Sequence, residues 1–441
     1  MLARHRWLRA CGFILFSLMA AQAVATNGYF NHGFGTKCKG MAGATTAMSL
    51  CSLSASNNPA SMLDVGNRFD AGVAFFMPDR GFTANQIEGV PAEQNPIPAG
   101  TYDSDSNLFY VPHFGWNKML GKDSAVGISI GANGGMNTDY DAAVFENFAR
   151  NPQTGQLPPE ASGFRATAPT GVDLQQLFVG FTWSQRIAGQ HAVGVTPILI
   201  YQRFQAQGLE PFKAVSAHPD QVTNNGHSNS FGGGVRVGWL SEITDQFSFG
   251  VSYQTRIYAQ PFEEYKGLFA DGGDFDLPPI FNTGIAFKPT PNLALTFDYQ
   301  RIFYSNVDAL SNPHDLNLQA PQTPRLGSAD GLGFGWVDMN VYKLGAQWRV
   351  NDRWSLRLGY NYASQPIPND QALFNILAPA VLTEHYTAGF TFGFTAKDEL
   401  NVAVMHAPRN KVYGTNPNTG PQTGNIEMSQ TEFEVSWGRR F

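Results

Sequence analysis

The sequence predicts an all-β fold: a closed, 14-stranded antiparallel transmembrane β-barrel. Three observations carry that reading. Only 15% of the 441 residues are charged, while 13% are aromatic and 46 are glycine; a soluble chain carries about 25% charge. Beyond residue 25 no apolar run approaches the roughly 18 residues of a spanning helix. From Arg68 onward, segments of about ten residues alternate apolar with small or polar side chains, as a strand with one lipid face requires. A net charge of −6 argues against nucleic acid as a partner, because such a surface would be basic.

The chain begins with a basic region at Arg4, Arg6 and Arg9, an apolar core over 11–20, and Ala23-Val24-Ala25. That is the pattern of a secretory signal peptide spanning 1–25. Of the three cysteines, Cys38 and Cys51 then remain. Export places them in an oxidising compartment, where a pair tends to form a disulfide; two separate buried thiols are the alternative. No His/Cys cluster accompanies them, so no metal is expected.

Residues 26–67 do not alternate and are rich in Gly, Ala, Ser and Asn. Small residues suit compact packing inside the barrel as an N-terminal hatch, or plug. A free periplasmic linker is the alternative.

Strands are expected over 68–79, 108–118, 124–133, 174–186, 191–207, 230–240, 246–258, 281–288, 292–303, 337–350, 353–364, 383–394, 399–407 and 427–441. In 246–258, Phe247, Phe249, Val251, Tyr253 and Ile257 share one face; Ser248, Gly250, Ser252, Gln254 and Arg256 share the other. The last segment sets Phe433, Val435, Trp437 and Phe441 outward against Glu432, Glu434 and Ser436. Connections alternate strictly. Those after odd strands are long; those after even strands are tight, as at Gly121-Lys122, Thr290-Pro291 and Asn351-Asp352. Outer-membrane barrels show this alternation, with long loops outside and short turns in the periplasm. Closure leaves no strand edge unpaired in hydrocarbon. The terminal Phe441, with aromatics at alternate positions before it, resembles the signature read by the barrel-assembly machinery.

Gly40-Met41-Ala42-Gly43-Ala44 leads to Asn58-Pro59-Ala60 just before the first strand. Leu277-Pro278-Pro279 precedes a strand ending Asp298-Tyr299, and Leu356-Arg357-Leu358-Gly359-Tyr360 is followed by Gln365-Pro366-Ile367-Pro368. In these motifs the sequence resembles the FadL family of outer-membrane long-chain fatty acid and hydrocarbon transport proteins, over nearly all of the mature chain. The resemblance implies a hatch over 26–67, with Asn58, Pro59 and Ala60 as its motif, and an outer-membrane barrel over 68–441. It also implies an inward kink in the third strand that opens the wall sideways.

In the third segment alternation holds to Ala132 and fails at Asn133-Gly134-Gly135. Glycine within a strand marks a bend or a close approach. A lateral opening would fall at Ala132, Asn133, Gly134 and Gly135; the other reading is that the second loop starts there. Phe212 in the third loop, and Phe262, Tyr265, Leu268 and Phe269 in the fourth, offer a capture surface, or else merely cover the barrel mouth. Arg236, Arg256 and Arg357 face inward and would hold a carboxylate head group; an ion-pair ladder bracing the wall is the alternative.

The reading is therefore a passive channel for long-chain fatty acids or similar hydrocarbons, with no catalytic residues, cofactor or metal. Its partners are a hydrophobic small molecule, outer-membrane lipid and lipopolysaccharide, and the assembly machinery through Phe441; the chain is expected to act as a monomer. A general polar porin and an outer-membrane lipid hydrolase are the alternatives. The spacing of Asp271, Asp274 and Asp276 departs from a calcium-binding loop.

Overall fold

The computed structural model describes residues 26–148, 163–314 and 324–441. The expected signal peptide, 1–25, lies outside the described residues.

Fourteen long strands are present among the described residues: β1 Arg68–Ala84, β2 Phe109–Met119, β3 Ser124–Tyr140, β4 Thr170–Ala188, β5 His191–Gln207, β6 Ser228–Thr244, β7 Phe247–Gln254, β8 Ile280–Thr290, β9 Leu293–Ile302, β10 Met339–Arg349, β11 Trp354–Ala363, β12 Glu384–Gly393, β13 Asp398–Thr415 and β14 Thr423–Arg440. Each pairs antiparallel with its neighbours in sequence. β14 pairs with β1 from Gly424 opposite Ala84 to Arg440 opposite Arg68, which closes the barrel.

The alternation sorts side chains as the sequence predicts. Phe433, Trp437 and Phe441 are exposed on the outer wall at 40–48%, whereas Glu432 and Glu434 are buried. Leu356, Leu358 and Tyr362 face outward; Arg357 and Asn361 face in. No helix among the described residues is long and apolar enough to cross a membrane.

Several strands run further than their alternation reveals, β1, β3, β4, β13 and β14 toward the long-loop end and β6 to Thr244 at the tight-turn end. β1, β3 and β4 span 17, 17 and 19 residues. β13 and β14 reach Thr415 and start at Thr423, leaving only 416–422 between them.

The seventh strand is a correction in the other direction. It stops at Gln254, not at residue 258. The Thr255 hydroxyl accepts from Val235 N at 3.1 Å and donates to Arg256 O at 3.0 Å, which breaks the ladder. The chain then turns. Ile257, expected on the outer face, is fully buried and bridges to Leu277.

Candidate functional site

Residues 26–67 touch inward side chains of several strands around the wall. The helical turn Thr36–Lys39 places Lys39 Nζ 2.8 Å from both Glu432 and Glu434 of β14. Lys37 pairs with Glu399, which also accepts from Arg68 at 2.6 Å. Asp298 accepts from Thr46 N at 2.8 Å. Glu432, Glu434 and Asp298 therefore bind this segment to the wall, whereas Glu399 also pairs within the wall, with Arg68.

The Asn58-Pro59-Ala60 element has a specific task. Asn58 caps the short helix Pro59–Asp64 by accepting from Ala60 N at 3.1 Å. Its amide donates to Thr46 O and to Trp239 O of β6, at 2.8 and 3.0 Å. The turn fits against the wall because Gly194 and Gly238 stand opposite. A Cβ on Gly238 would sit 2.0 Å from Asn58 Oδ1, and one on Gly194 2.4 Å from the Pro59 carbonyl carbon.

Cys38 and Cys51 are free, buried thiols clustered with Leu53, so the expected crosslink is not formed. The turn is held instead by Ser54, whose hydroxyl accepts from Leu50 N and Cys51 N at 3.0 and 3.1 Å.

The wall is interrupted beside β3. Pairing of β3 with β2 ends at Gly131 opposite His113, although β3 continues to Tyr140. Residues 109–112 of β2 pair only with β1. Contact resumes further out, where Asp105 N donates to Asp139 O at 2.8 Å. On its other side β3 carries a bulge: Ala132 faces Leu177, yet Gly135 faces Gln175. Asn133-Gly134-Gly135 thus lies at a bulge inside the strand, and the loop starts beyond Tyr140. The backbone of Phe30 pairs with Gly134, and only glycine permits that approach; a Cβ there would lie 1.7 Å from Tyr29 O. The Arg80 guanidinium crosses the gap, donating to the carbonyls of Asn137 and Ser106.

Three cavities follow from outside inward. The first, about 470 Å³, lies under the long loops and is lined among others by Phe212, Leu268, Phe269, Phe334, Phe374 and Leu377; every residue around it is apolar or glycine. The second, about 350 Å³, faces the gap and is lined by Tyr29, Phe76, Arg80, Gly135, Met136 and Trp336 among others. The third, about 370 Å³, is polar and lies between residues 30–34, 56–57 and the wall, with Asn133, Arg236 and Lys343 around it.

The expected site residues distribute unevenly over these spaces. Phe212, Leu268 and Phe269 line the loop cavity. Phe262 and Tyr265 do not; they buttress it through Phe204, and Tyr265 donates to Gly226 O. Gly135 lines the second cavity and Asn133 the third. Arg236 reaches the third cavity. Arg357 reaches none of the three and donates to Gln347 and Thr391 at 2.7 and 2.8 Å. Sequence reasoning missed Arg80, Trp336, Lys343 and Phe374. The apolar run over 371–382 was the signal for the last of these.

Arg256 sits past the end of β7, held by Asp276 at 2.6 Å and Asp274 at 3.2 Å. Burial, with the charge of Asp276 beside it, pushes the Asp274 carboxyl up to about 7. The folded loop therefore keeps a proton that an unfolded one loses in the ordinary carboxylate range. Its stability falls as pH rises from that range to about 7. Amide protection factors over 271–276 should be higher at pH 5 than at pH 8, and Asp274→Asn should flatten the difference.

A model of the family described as outer membrane protein transport protein (OMPP1/FadL/TodX) matches residues 162–436. Solved structures share the fold. The toluene transporter TodX of P. putida aligns with a TM-score of 0.65 at 16% identity, covering 93% of this chain and 99% of that one. The toluene transporter TbuX of Ralstonia pickettii gives 0.62 at 18%, over 93% and 99%. A FadL homologue of Pseudomonas aeruginosa gives 0.67 at 14%, over 94% and 100%. No curated protein matches the chain in sequence.

Proposed function

The chain belongs to the OMPP1/FadL/TodX family of outer-membrane transport proteins, and from that premise we propose that it is a passive channel for hydrophobic small molecules, long-chain fatty acids or similar hydrocarbons. The observation that carries the reading is the loop cavity, whose lining offers no polar side chain to compete for an apolar guest. Burial contributes about 0.8 kcal/mol per methylene, so such a guest leaves water for this space. From there it moves inward to the cavity beside Gly135 and leaves through the gap between β2 and β3. Residues 26–67 act as the plug that keeps the bore from being a water-filled pore, which speaks against a general porin. Transport runs downhill and is drawn on by consumption inside the cell.

Uptake of labelled palmitate and of toluene, in cells with and without the protein, tests this. Equal uptake of both compounds in the two strains would refute it. Phe212→Gln places an amide in the loop cavity. Losing most of one phenyl contact costs about 1.5–3 kcal/mol, so binding of a hydrocarbon to the purified protein should weaken about ten-fold or more, as read by equilibrium dialysis.

A further inference from the structure

The loop cavity and the chamber beside Gly135 lie back to back. Among the described residues none lines both, yet near neighbours in the chain line opposite sides. Phe334 borders the loop cavity and Trp336 the chamber; Leu377 borders the first and Ala378 the second. The partition is therefore two passes of chain, 334–336 and 377–378. Gly335 has a φ of +67°, and a Cβ there would lie 2.7 Å from Gln371 Cγ, so glycine permits the close approach.

Both backbones are tied to their surroundings. Phe334 N and Trp336 N donate to Ala309 O and Leu310 O at 3.1 and 2.8 Å. Tyr140 and Thr138, on the outer part of β3, donate their hydroxyls to Ile376 O and Leu377 O, each at 3.0 Å. A side chain joins the two passes: the Trp336 indole, 1% exposed, donates to Asn375 Oδ1 at 2.6 Å. The Asn375 amide in turn donates to Phe334 O and Gln371 O, both at 2.9 Å, which fixes its oxygen toward the indole. The ring meets Tyr304 edge-on at 5.1 Å and borders a chamber of about 350 Å³, into which it can turn about its own torsions while both backbones stay.

We propose that Trp336 is the selectivity gate of the channel: its indole closes the loop cavity off from the chamber beside β3, Asn375 latches it, and the swing it makes sets the width of hydrocarbon that passes. The inference rests on the channel reading, since a gate needs a path. A straight chain or a single ring passes with a small swing. A wide polycycle needs the whole indole displaced, which breaks the bond to Asn375 and leaves a buried amide oxygen without its donor.

The test is uptake of labelled palmitate and toluene, as narrow guests, and of labelled pyrene, as a wide one. Cells carry wild type, Trp336→Ala, Trp336→Phe or none of these, and each variant must keep the heat-sensitive mobility of a folded barrel. Trp336→Ala removes the door, so pyrene uptake above background should rise about five-fold or more relative to the narrow guests. Trp336→Phe keeps a ring but loses the N–H that engages the latch, and the same ratio should rise about three-fold. A ratio that does not rise overturns the gate, whether or not total uptake falls, because a packing role moves all three guests together. Should Trp336→Ala fail to fold, the milder Trp336→Phe decides. Wild-type uptake at background for every guest sinks the channel reading and the gate with it; wild-type uptake above background with a ratio that does not rise sinks the gate alone.

Discussion

Deleting Gly134 is expected to bring uptake of a hydrophobic substrate down to that of cells lacking the protein, while the barrel still folds. The reason lies in register. Between Ala132 and Gly135 β3 advances three residues while β4 advances two, from Leu177 to Gln175. One extra residue on one strand is a bulge, and a bulge bends its strand and disrupts the local ladder. The bend turns β3 away from residues 109–112 of β2, which are left with β1 alone. An unpaired backbone group in hydrocarbon costs several kcal/mol. Here the loss is offset, because Phe30 pairs with Gly134 and Arg80 holds the Asn137 carbonyl. With Gly134 gone the register becomes continuous, β3 straightens, and β2 regains its partner. The barrel should then be at least as resistant to heat as before, judged by the temperature at which its electrophoretic mobility shifts. Wild-type uptake through a folded deletion variant would show that substrate does not leave through the gap.

How much of this could be read from the amino acids depends on which physical rule each residue obeys. Membrane-depth strands obey the period of two because one face meets lipid, so Leu356, Leu358, Phe433 and Trp437 announce their own orientation. Above the bilayer both faces meet polar or loop surroundings, and the rule lapses. That is why β13 and β14 run past their visible pattern, and why 416–422 reads as a longer loop than it is. Thr255 breaks β7 through hydrogen bonds of its own hydroxyl, which no periodicity records. Loop aromatics such as Phe212 and Phe269 were legible as apolar residues in polar company. Their partner Phe374 comes from a segment over 100 positions away in sequence, and only the fold brings them to one cavity. Charged residues were the least legible. Arg256 and Arg236 look alike in an alternating strand, yet one pairs with Asp274 and Asp276 while the other, among the described residues, bonds to the neutral Gln254.

Replacing Lys39 by methionine is expected to release the plug. Lys39 is buried between Glu432 and Glu434, with side-chain exposures of 4%, 2% and 1%. Glu434 also accepts from Thr36 at 2.7 Å, and His113 lies 3.5 Å away. Removing the ammonium leaves two carboxylates buried side by side with only neutral donors and a histidine near them. Breaking a buried ion pair in this way costs about 3–5 kcal/mol, because the surviving charge stays desolvated. The barrel has its own closed ladder and should persist; the docking of 26–67 should bear the loss. Two readouts follow: trypsin should cleave within 26–67 at a rate many times that of wild type, and planar-bilayer recordings should gain a large steady conductance. The triple variant Lys39→Met, Glu432→Gln, Glu434→Gln removes the orphaned charges and should recover most of the protection, since replacing a whole buried charge cluster is often close to neutral. If the single variant stays protease-resistant and electrically silent, the plug is held by its other contacts to the wall, Asn58 to Trp239 O, Thr46 N to Asp298 and Ala42 N to Thr387, and the lysine contributes nothing to holding it.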